Sequence, residues 1–393
     1  MSAERAHALL SASSAKMWLT CTPSARINAE IPDEPSEAAE EGTLAHAIAE
    51  LKMKQAFVKP QSKATFRKKL KTLQEHPLYQ KEMDGYTDDY VEYITGLIHS
   101  FDSPPYVAVE KRLDFSHVVP EGFGTGDCIL IGGDTLHVID FKYGKGVPVK
   151  AEGNPQMKLY AAGALREYGI LYPISSIRMH IVQPRIDHNN EGLIYRKELE
   201  SWLTAVVKPK AQLAYKGEGE FCPDPDPNGG CRWCKIRATC RARAEQNLEL
   251  AKEEFKLPPE LSTEEVGSIL KKAQDLKAWA ADLESWALKE LLQGRCVPGW
   301  KAVEGRSNRE FADQEKAFQI LARSGVIEEE MLYVRKPHSL TEIEKLIGKK
   351  EFRELLADQV VKPPGKPKLA PESDKREAIT LRTTAEEDFK EEE

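Results

Sequence analysis

Asp127, Asp140 and Lys142 are the residues whose types and spacing first suggest chemistry. They lie in "GTGDCILIGGDTLHVIDFK", Gly124 to Lys142, where two apolar runs flank a Gly132-Gly133-Asp134 turn. That is the pattern of a β-hairpin. Side chains alternate along a strand, so Asp140 and Lys142 project from one face while Phe141 points away. Asp127, at the start of the first strand, is expected near Asp140 across the antiparallel ladder. Charges placed beside a core are costly unless they are paired or hold a metal. Two converging carboxylates repel unless a cation joins them. Oxygen ligands with few neighbours favour Mg²⁺ or Mn²⁺, which keep positions open for water and phosphate oxygens. Lys142 could then hold or help deprotonate an attacking water.

Three further residues fall into order with these. "EEGTLAHAIAE" places His46 in the first turn of a helix that Thr43 would cap, and "NPQMKLYAAG" sets Gln156 and Tyr160 at i and i+4 on one helix face. Each signal has a bland reading alone: a surface salt bridge for Asp-x-Lys, a structural histidine, an ordinary amphipathic surface. Their joint occurrence in this order carries the weight.

A second constellation is "CRWCKIRATC", which spaces Cys231, Cys234 and Cys240 as C-x2-C-x5-C. Three cysteines in so short a stretch point to a metal, and a tetrahedral thiolate site needs a fourth ligand. Cys222 is close in sequence and Cys21 is distant; spacing leaves both open, and leaves Zn²⁺ open beside iron. Arg232, Lys235, Arg237, Arg241 and Arg243 thread through the cluster and suit a phosphate backbone. Trp233 could stack a base, but packing against the cluster is the expected role. Cys128 and Cys296 read as ordinary core or surface residues.

The elements that must position these groups follow from periodicity. A short helix or turn is expected over 11–28, helices over 43–57 and 86–99, and a strand over 106–115 before the hairpin. Asn154-Pro155 makes a helix start and Gly169 its stop. A strand over 175–185 and a helix over 196–215 complete a mixed α/β sheet flanked by helices. Val266, Ile269, Ala273, Leu276, Ala280, Leu283 and Ala287 follow a 3,4 spacing, with Ser262 and Glu265 as a capping box and Gly294 as the stop. The expected organisation is therefore a domain over 1–245, a long amphipathic helical segment over 246–295, a small α+β piece over 296–360, and a disordered charged tail over 361–393.

Composition bounds the function classes. A chain of 393 residues with 41% apolar and 30% charged residues can build a real core, and its net charge of −7 argues against a uniformly basic nucleic-acid binder. Local basic patches remain. "KPQSKATFRKKLK", Lys59 to Lys71, carries six positive charges and no acid; a solvated helix face is its default reading. No stretch reaches the ~20 apolar residues of a membrane span. "AHALLSASSAKMWLTC" is broken by Lys16 and preceded by Glu4, unlike a lipoprotein leader. A cytoplasmic protein in a bacterial host cell is expected, where structural disulfides are rare.

Taken together, G-T-x-x-H (42–46), G-x-x-D (124–127), D-x-K (140–142) and Q-x-x-x-Y (156–160) resemble the PD-(D/E)XK nuclease superfamily. The similarity is greatest to its RecB-like branch, which includes helicase-coupled and CRISPR-associated exonucleases. The resemblance implies a restriction-endonuclease-like fold, with His46, Asp127 and Asp140 as Mg²⁺ or Mn²⁺ ligands and Lys142 as the catalytic lysine. Glu110 matches an acidic metal-binding position of some members. Gln156 and Tyr160 match the motif that contacts DNA beside the metal, with Arg232, Lys235 and Arg237 as further DNA contacts. Some members carry an iron–sulfur staple, and "SSAKMWLTCTPSAR" resembles its N-terminal element; this implies Cys21, Cys231, Cys234 and Cys240 around a [4Fe–4S] cluster, with Zn²⁺ as the alternative.

Farther on, "GWKAVEGRSNREF", "LTEIEKLIGKKEF" and "GKPKLAPESDKR" resemble a family of phage and prophage proteins whose N-terminal parts look like nucleases. The implied activity is metal-dependent DNA cleavage in phage replication or recombination, exonuclease rather than endonuclease, on single-stranded or end-containing DNA. A single-strand annealing protein or a helicase is the implied protein partner. A catalytically silent DNA-binding scaffold with a metal-stapled core is the competing reading, and a hydrolase of some other phosphodiester the third.

Overall fold

The structure is a computed structural model. It describes residues 8–33, 36–224, 226, 229–253, 263–305, 310–332, 340–347, 349–357, 359–361 and 367–371. The chain divides into two compact units, Met1–Trp279 and Ala280–Glu393.

The first unit opens with α1 (Ala15–Thr20), α2 (Ser24–Glu30), α3 (Glu37–Met53), α4 (Lys63–Gln74) and α5 (Glu82–His99). Strands β1 (Tyr106–Asp114), β2 (Phe123–Gly132) and β3 (Thr135–Phe141) follow. Helix α6 (Pro155–Tyr168) then crosses to β4 (Ser176–Gln183), β5 (His188–Tyr195), α7 (Arg196–Trp202) and α8 (Lys208–Lys216). The five strands form one mixed sheet in chain order. Only β3 and β4 run parallel, because a helix and not a hairpin joins them.

Alternation along the strands sends apolar side chains to both faces. Ile129, Ile131, Leu136 and Val138 pack under α6, α7 and α8. Cys128, Leu130, Ile139 and Phe141 pack under α3 and α5. Asn154 caps α6, its side chain accepting the Gln156 and Met157 N–H groups, and Pro155 takes the first helical position. At Gly163 the helix meets β1 so closely that a Cβ would lie 2.8 Å from that of Leu113. Glycine is what lets α6 seat there.

Helix α3 begins earlier than its sequence suggests. Ser36 caps it by accepting the Ala39 N–H. Thr43 lies inside the helix, its hydroxyl donating to the Ala39 carbonyl at 2.9 Å, so His46 belongs to a later turn and not the first. α9 (Arg241–Glu253) and α10 (Thr263–Leu292) follow the cysteine loop, and the division between units falls within α10. The proposed capping residue Ser262 lies outside the described residues.

The second unit is a small α+β assembly of β6 (Trp300–Glu304), β7 (Glu310–Phe311), α11 (Gln314–Ser324), α12 (Leu340–Ile347), α13 (Lys349–Leu356), β8 (Val360–Val361) and β9 (Pro367–Pro371). Phe318, Leu321, Ile343, Phe352 and Leu356 form its own core. The expectation of a disordered tail from residue 361 is corrected for β9, which pairs antiparallel with β6 through Trp300 and Pro371. Residues 372–393 lie outside the described residues. Among the described residues no helix is long and apolar enough to cross a membrane.

Candidate functional site

Glu110, Asp127 and Asp140 stand in a row across three neighbouring strands. In the β1–β2 register Val109 faces Cys128 and Lys111 faces Gly126, which sets Glu110 opposite Asp127. The β2–β3 ladder ends at Cys128 with Ile139, so its continuation sets Asp127 opposite Asp140. Regular pairing fails along this row. Glu110 adopts φ of +50°, a left-handed conformation that side chains adopt only at a cost and that collects at functional sites. Facing also switches on both strands here. Ala108 and Leu113 of β1 reach the same core although five residues apart. On β2, Ile129 and a Cβ built on Gly124 would meet that core too. Beyond the ladder's end, Asp127 Oδ2 accepts the Phe141 N–H at 2.7 Å, replacing the lost strand partner.

Helix α3 brings His46 over the row. Its Nδ1 lies 3.5 Å from Asp127 Oδ1, and its ring meets Phe141 edge-on. Among the described residues, His46, Glu110 and Asp127 are the set of three potential ligands whose donor atoms all lie within 4.8 Å of one another. Burial opposes charge on His46, but Asp127 and then Asp140 outweigh it and hold its pKa up to about 9. Burial pushes Glu110 up to about 7, helped by Asp127 and Glu50. Against its own burial, Asp127 is held low by His46 and Lys142.

Asp140 is placed differently from the other two acids. Its Oδ2 is ion-paired to Lys142 Nζ at 2.8 Å, and its Oδ1 accepts from Gln156 Nε2 at 3.0 Å. Gln156 Oε1 accepts from Lys142 at 3.4 Å, and its amide also reaches the Tyr160 hydroxyl at 3.3 Å. Burial raises the Asp140 pKa against the opposing pull of Lys142. Tyr160 is buried with its hydroxyl on Gln156, which makes it a support for Gln156.

The sequence therefore identified His46, Asp127, Asp140 and Lys142 as one locality. Glu110 lies with His46 and Asp127 in the group of three potential ligands. Glu50 was missed. It lies one turn beyond His46 on α3, its charge acts on Glu110 and it pairs with Lys54; the i, i+4 spacing from His46 was the available signal.

The thiols form a separate site. Cys21, Cys222, Cys231, Cys234 and Cys240 line one cavity between α1, α2 and the loop that precedes α9. Among the described residues no three of the sulfurs approach as closely as the His46 group does. N–H donors point at them: Asp224 N to Cys231 Sγ at 3.1 Å and Asn28 Nδ2 to Cys234 Sγ at 3.4 Å. Burial raises the Cys21 pKa and pushes that of Cys231 up to about 11. Buried thiols of this kind become thiolates when a metal binds. Cys222 is exposed, whereas Cys21 is half-buried and feels Cys234 and Cys240.

The basic residues of this loop divide. Lys235 donates to the carbonyls of Asn28 and Ile31 and pairs with Asp33 at 2.8 Å, which ties the loop to α2. Arg243 is buried, with Asp275 at 2.8 Å, and is no part of a surface rim. Arg232 and Arg237 are exposed. Trp233 is 67% exposed, contrary to the expected packing, and the Arg232 guanidinium lies 5.5 Å from its ring centroid.

Fold and site together define a mixed α/β protein with an acidic, histidine-containing row at the broken end of its sheet and a cysteine-lined cavity apart from it. A family described as "Protein of unknown function (DUF2800)" matches residues 7–377, and the chain belongs to that family.

Proposed function

We propose that the chain is a metal-dependent DNA nuclease that hydrolyses phosphodiester bonds. We further propose exonuclease action on DNA ends, in phage or prophage replication and recombination, beside a single-strand annealing protein or a helicase. The observation that carries the reading is the row Glu110–Asp127–Asp140 with His46 over Glu110 and Asp127 and Lys142 paired to Asp140.

The residues present fit a hard divalent cation. Three donors from two strands and a helix lie within 4.8 Å of one another, and the Asp127 charge repels that of Glu110. His46, Glu110 and Asp127 would hold the ion, with Asp140 beside them. Mg²⁺ or Mn²⁺ there supplies Lewis acidity toward a phosphate oxygen and a more acidic bound water. Lys142, fixed by Asp140 and Gln156, orients the attacking water and offsets charge on the phosphoryl oxygens as they become more negative. Gln156, itself supported by Tyr160, holds the Lys142–Asp140 pair in place.

The cysteine cavity is proposed to hold a [4Fe–4S] cluster on Cys21, Cys231, Cys234 and Cys240. Zn²⁺ on the same four thiolates is the alternative. The N–H donors at Cys231 and Cys234 are the kind that stabilise thiolate ligands.

The test is a time course on end-labelled single-stranded, duplex and closed circular DNA with Mg²⁺ or Mn²⁺, run beside Asp140→Ala. The reading predicts mononucleotides from the linear substrates, an intact circle, and loss of activity in the variant. DNA that is bound but never cut would favour the silent scaffold.

A further inference from the structure

The basic segment from Lys59 through α4 is unused by the site described above. Lys59, Lys63, Arg67, Lys68, Lys69 and Lys71 are all exposed, and no acid interrupts them before Glu75. Lys63, Arg67 and Lys71 recur every four residues, so they stack along one edge of α4, with Lys68 on its outer side. The adjoining edge is anchored: Leu70 and Leu73 pack against the core under α3 and α5. Among the described residues, the nearest carboxylate to any of these cations is that of Glu75, 4.0 Å from Lys71.

Like charges at i, i+4 destabilise a helix, and here they stand in a chain whose net charge is −7. An anionic partner relieves that repulsion. The exposed side of α4 offers Lys, Arg, Ala and Thr but no large apolar residue, which disfavours a lipid surface, where such helices insert Trp, Phe or Leu. It also lacks the aromatic anchors of a protein interface. A run of phosphates fits. α4 packs on α3, the helix that carries His46, and a π-helical turn, Lys54–Val58, joins the two.

We propose that Lys59 and α4 form a docking strip for the phosphate backbone of DNA, sharing the support that positions the candidate metal site. The inference deepens the nuclease reading and rests on it for the choice of DNA among polyanions.

The experiment is fluorescence anisotropy with a labelled DNA oligonucleotide in EDTA, at a series of KCl concentrations. It compares the full chain with a Lys63→Gln, Arg67→Gln, Lys71→Gln variant, whose fold is checked by its circular dichroism and melting temperature. Loss of these charges is expected to weaken binding at low salt by roughly tenfold or more and to reduce the log–log salt slope by about 2 to 3. An unchanged affinity and slope in a folded variant overturns the strip, as does a wild-type chain that binds no DNA. RNA of the same sequence bound more than tenfold tighter, through the same charges, overturns the assignment to DNA. Charge-dependent DNA binding without metal-dependent cleavage upholds the strip while the nuclease reading fails.

Discussion

Glu110 faces Asp127 across β1 and β2 at the point where regular pairing breaks, and it does so with a φ of +50°. The break turns both carboxylates toward His46. Backbone strain at Glu110 and the compactness of the His46–Glu110–Asp127 group are thus two aspects of one local geometry.

Glu110→Gly separates them. Glycine removes a left-handed strain of about 1–2 kcal/mol and loses up to about 1 kcal/mol to chain entropy. The variant should melt at or slightly above the wild-type temperature while binding divalent ions less tightly. A stability loss above about 1 kcal/mol would show that Glu110 holds the strands together by contacts other than those described.

Lys142 and Asp140 should behave as a unit. Lys142→Ala leaves a nearly buried carboxylate without its cation and is expected to cost about 3 kcal/mol in denaturant melts, the size typical of a broken buried pair. Cleavage should fall by about 10²–10³-fold. Replacing both partners, as Lys142→Met with Asp140→Leu, should recover most of the stability and none of the activity. Additive stability losses would contradict the pairing.

A pH dependence arises away from the site. His137 Nδ1 and His180 Nε2 lie 3.0 Å apart, and His180 Nδ1 meets the Tyr93 hydroxyl at 2.9 Å. Burial depresses both histidines to about 4, and Arg178 adds to this while Glu191 opposes it at His137. The folded pair stays neutral where the unfolded chain already binds protons. Stability should therefore be full above the unfolded value near 6.5 and decline as pH falls from there toward 4, by roughly 3 kcal/mol for the first proton. His180→Gln should flatten that slope. A wild-type stability curve that is level across this window would refute it.

The cysteines can be sorted by metal content. Cys21→Ser, Cys231→Ser, Cys234→Ser and Cys240→Ser should each lower bound iron and labile sulfide sharply and reduce the melting temperature. Cys222→Ser and Cys128→Ala should retain the metal, since Cys222 is exposed and Cys128 is sealed in the core beneath β2. Full retention in Cys21→Ser with loss in Cys222→Ser would exchange their roles. Stoichiometric zinc without iron would replace the cluster.

Much of this was legible in the residues. The Gly124–Lys142 hairpin, the capped start of α6 and the periodicity of α10 carry strong local signals, and they place Asp127, Asp140, Lys142 and Gln156 together. The start of α3 was misread because Gly42 and Thr43 look like a helix entry, whereas Ser36 caps it and the glycine rides within. β5 was missed since "HNNEGLIY" is an edge strand whose burial alternates but whose first five residues carry no large apolar side chain to mark it. A glutamate at positive φ leaves no mark on composition or spacing, so the approach of Glu110 to His46 and Asp127 could only come from the backbone. The exposure of Trp233 and the burial of Arg243 likewise depend on tertiary contacts that charge patterning does not encode.

If His46, Glu110 and Asp127 form one divalent-ion site, as proposed, calorimetric titration of Mn²⁺ into the metal-free chain will reveal it. One ion per chain should bind, with affinity reduced at least roughly tenfold in Asp127→Ala. Wild-type affinity in that variant, at unchanged stoichiometry, would contradict the account.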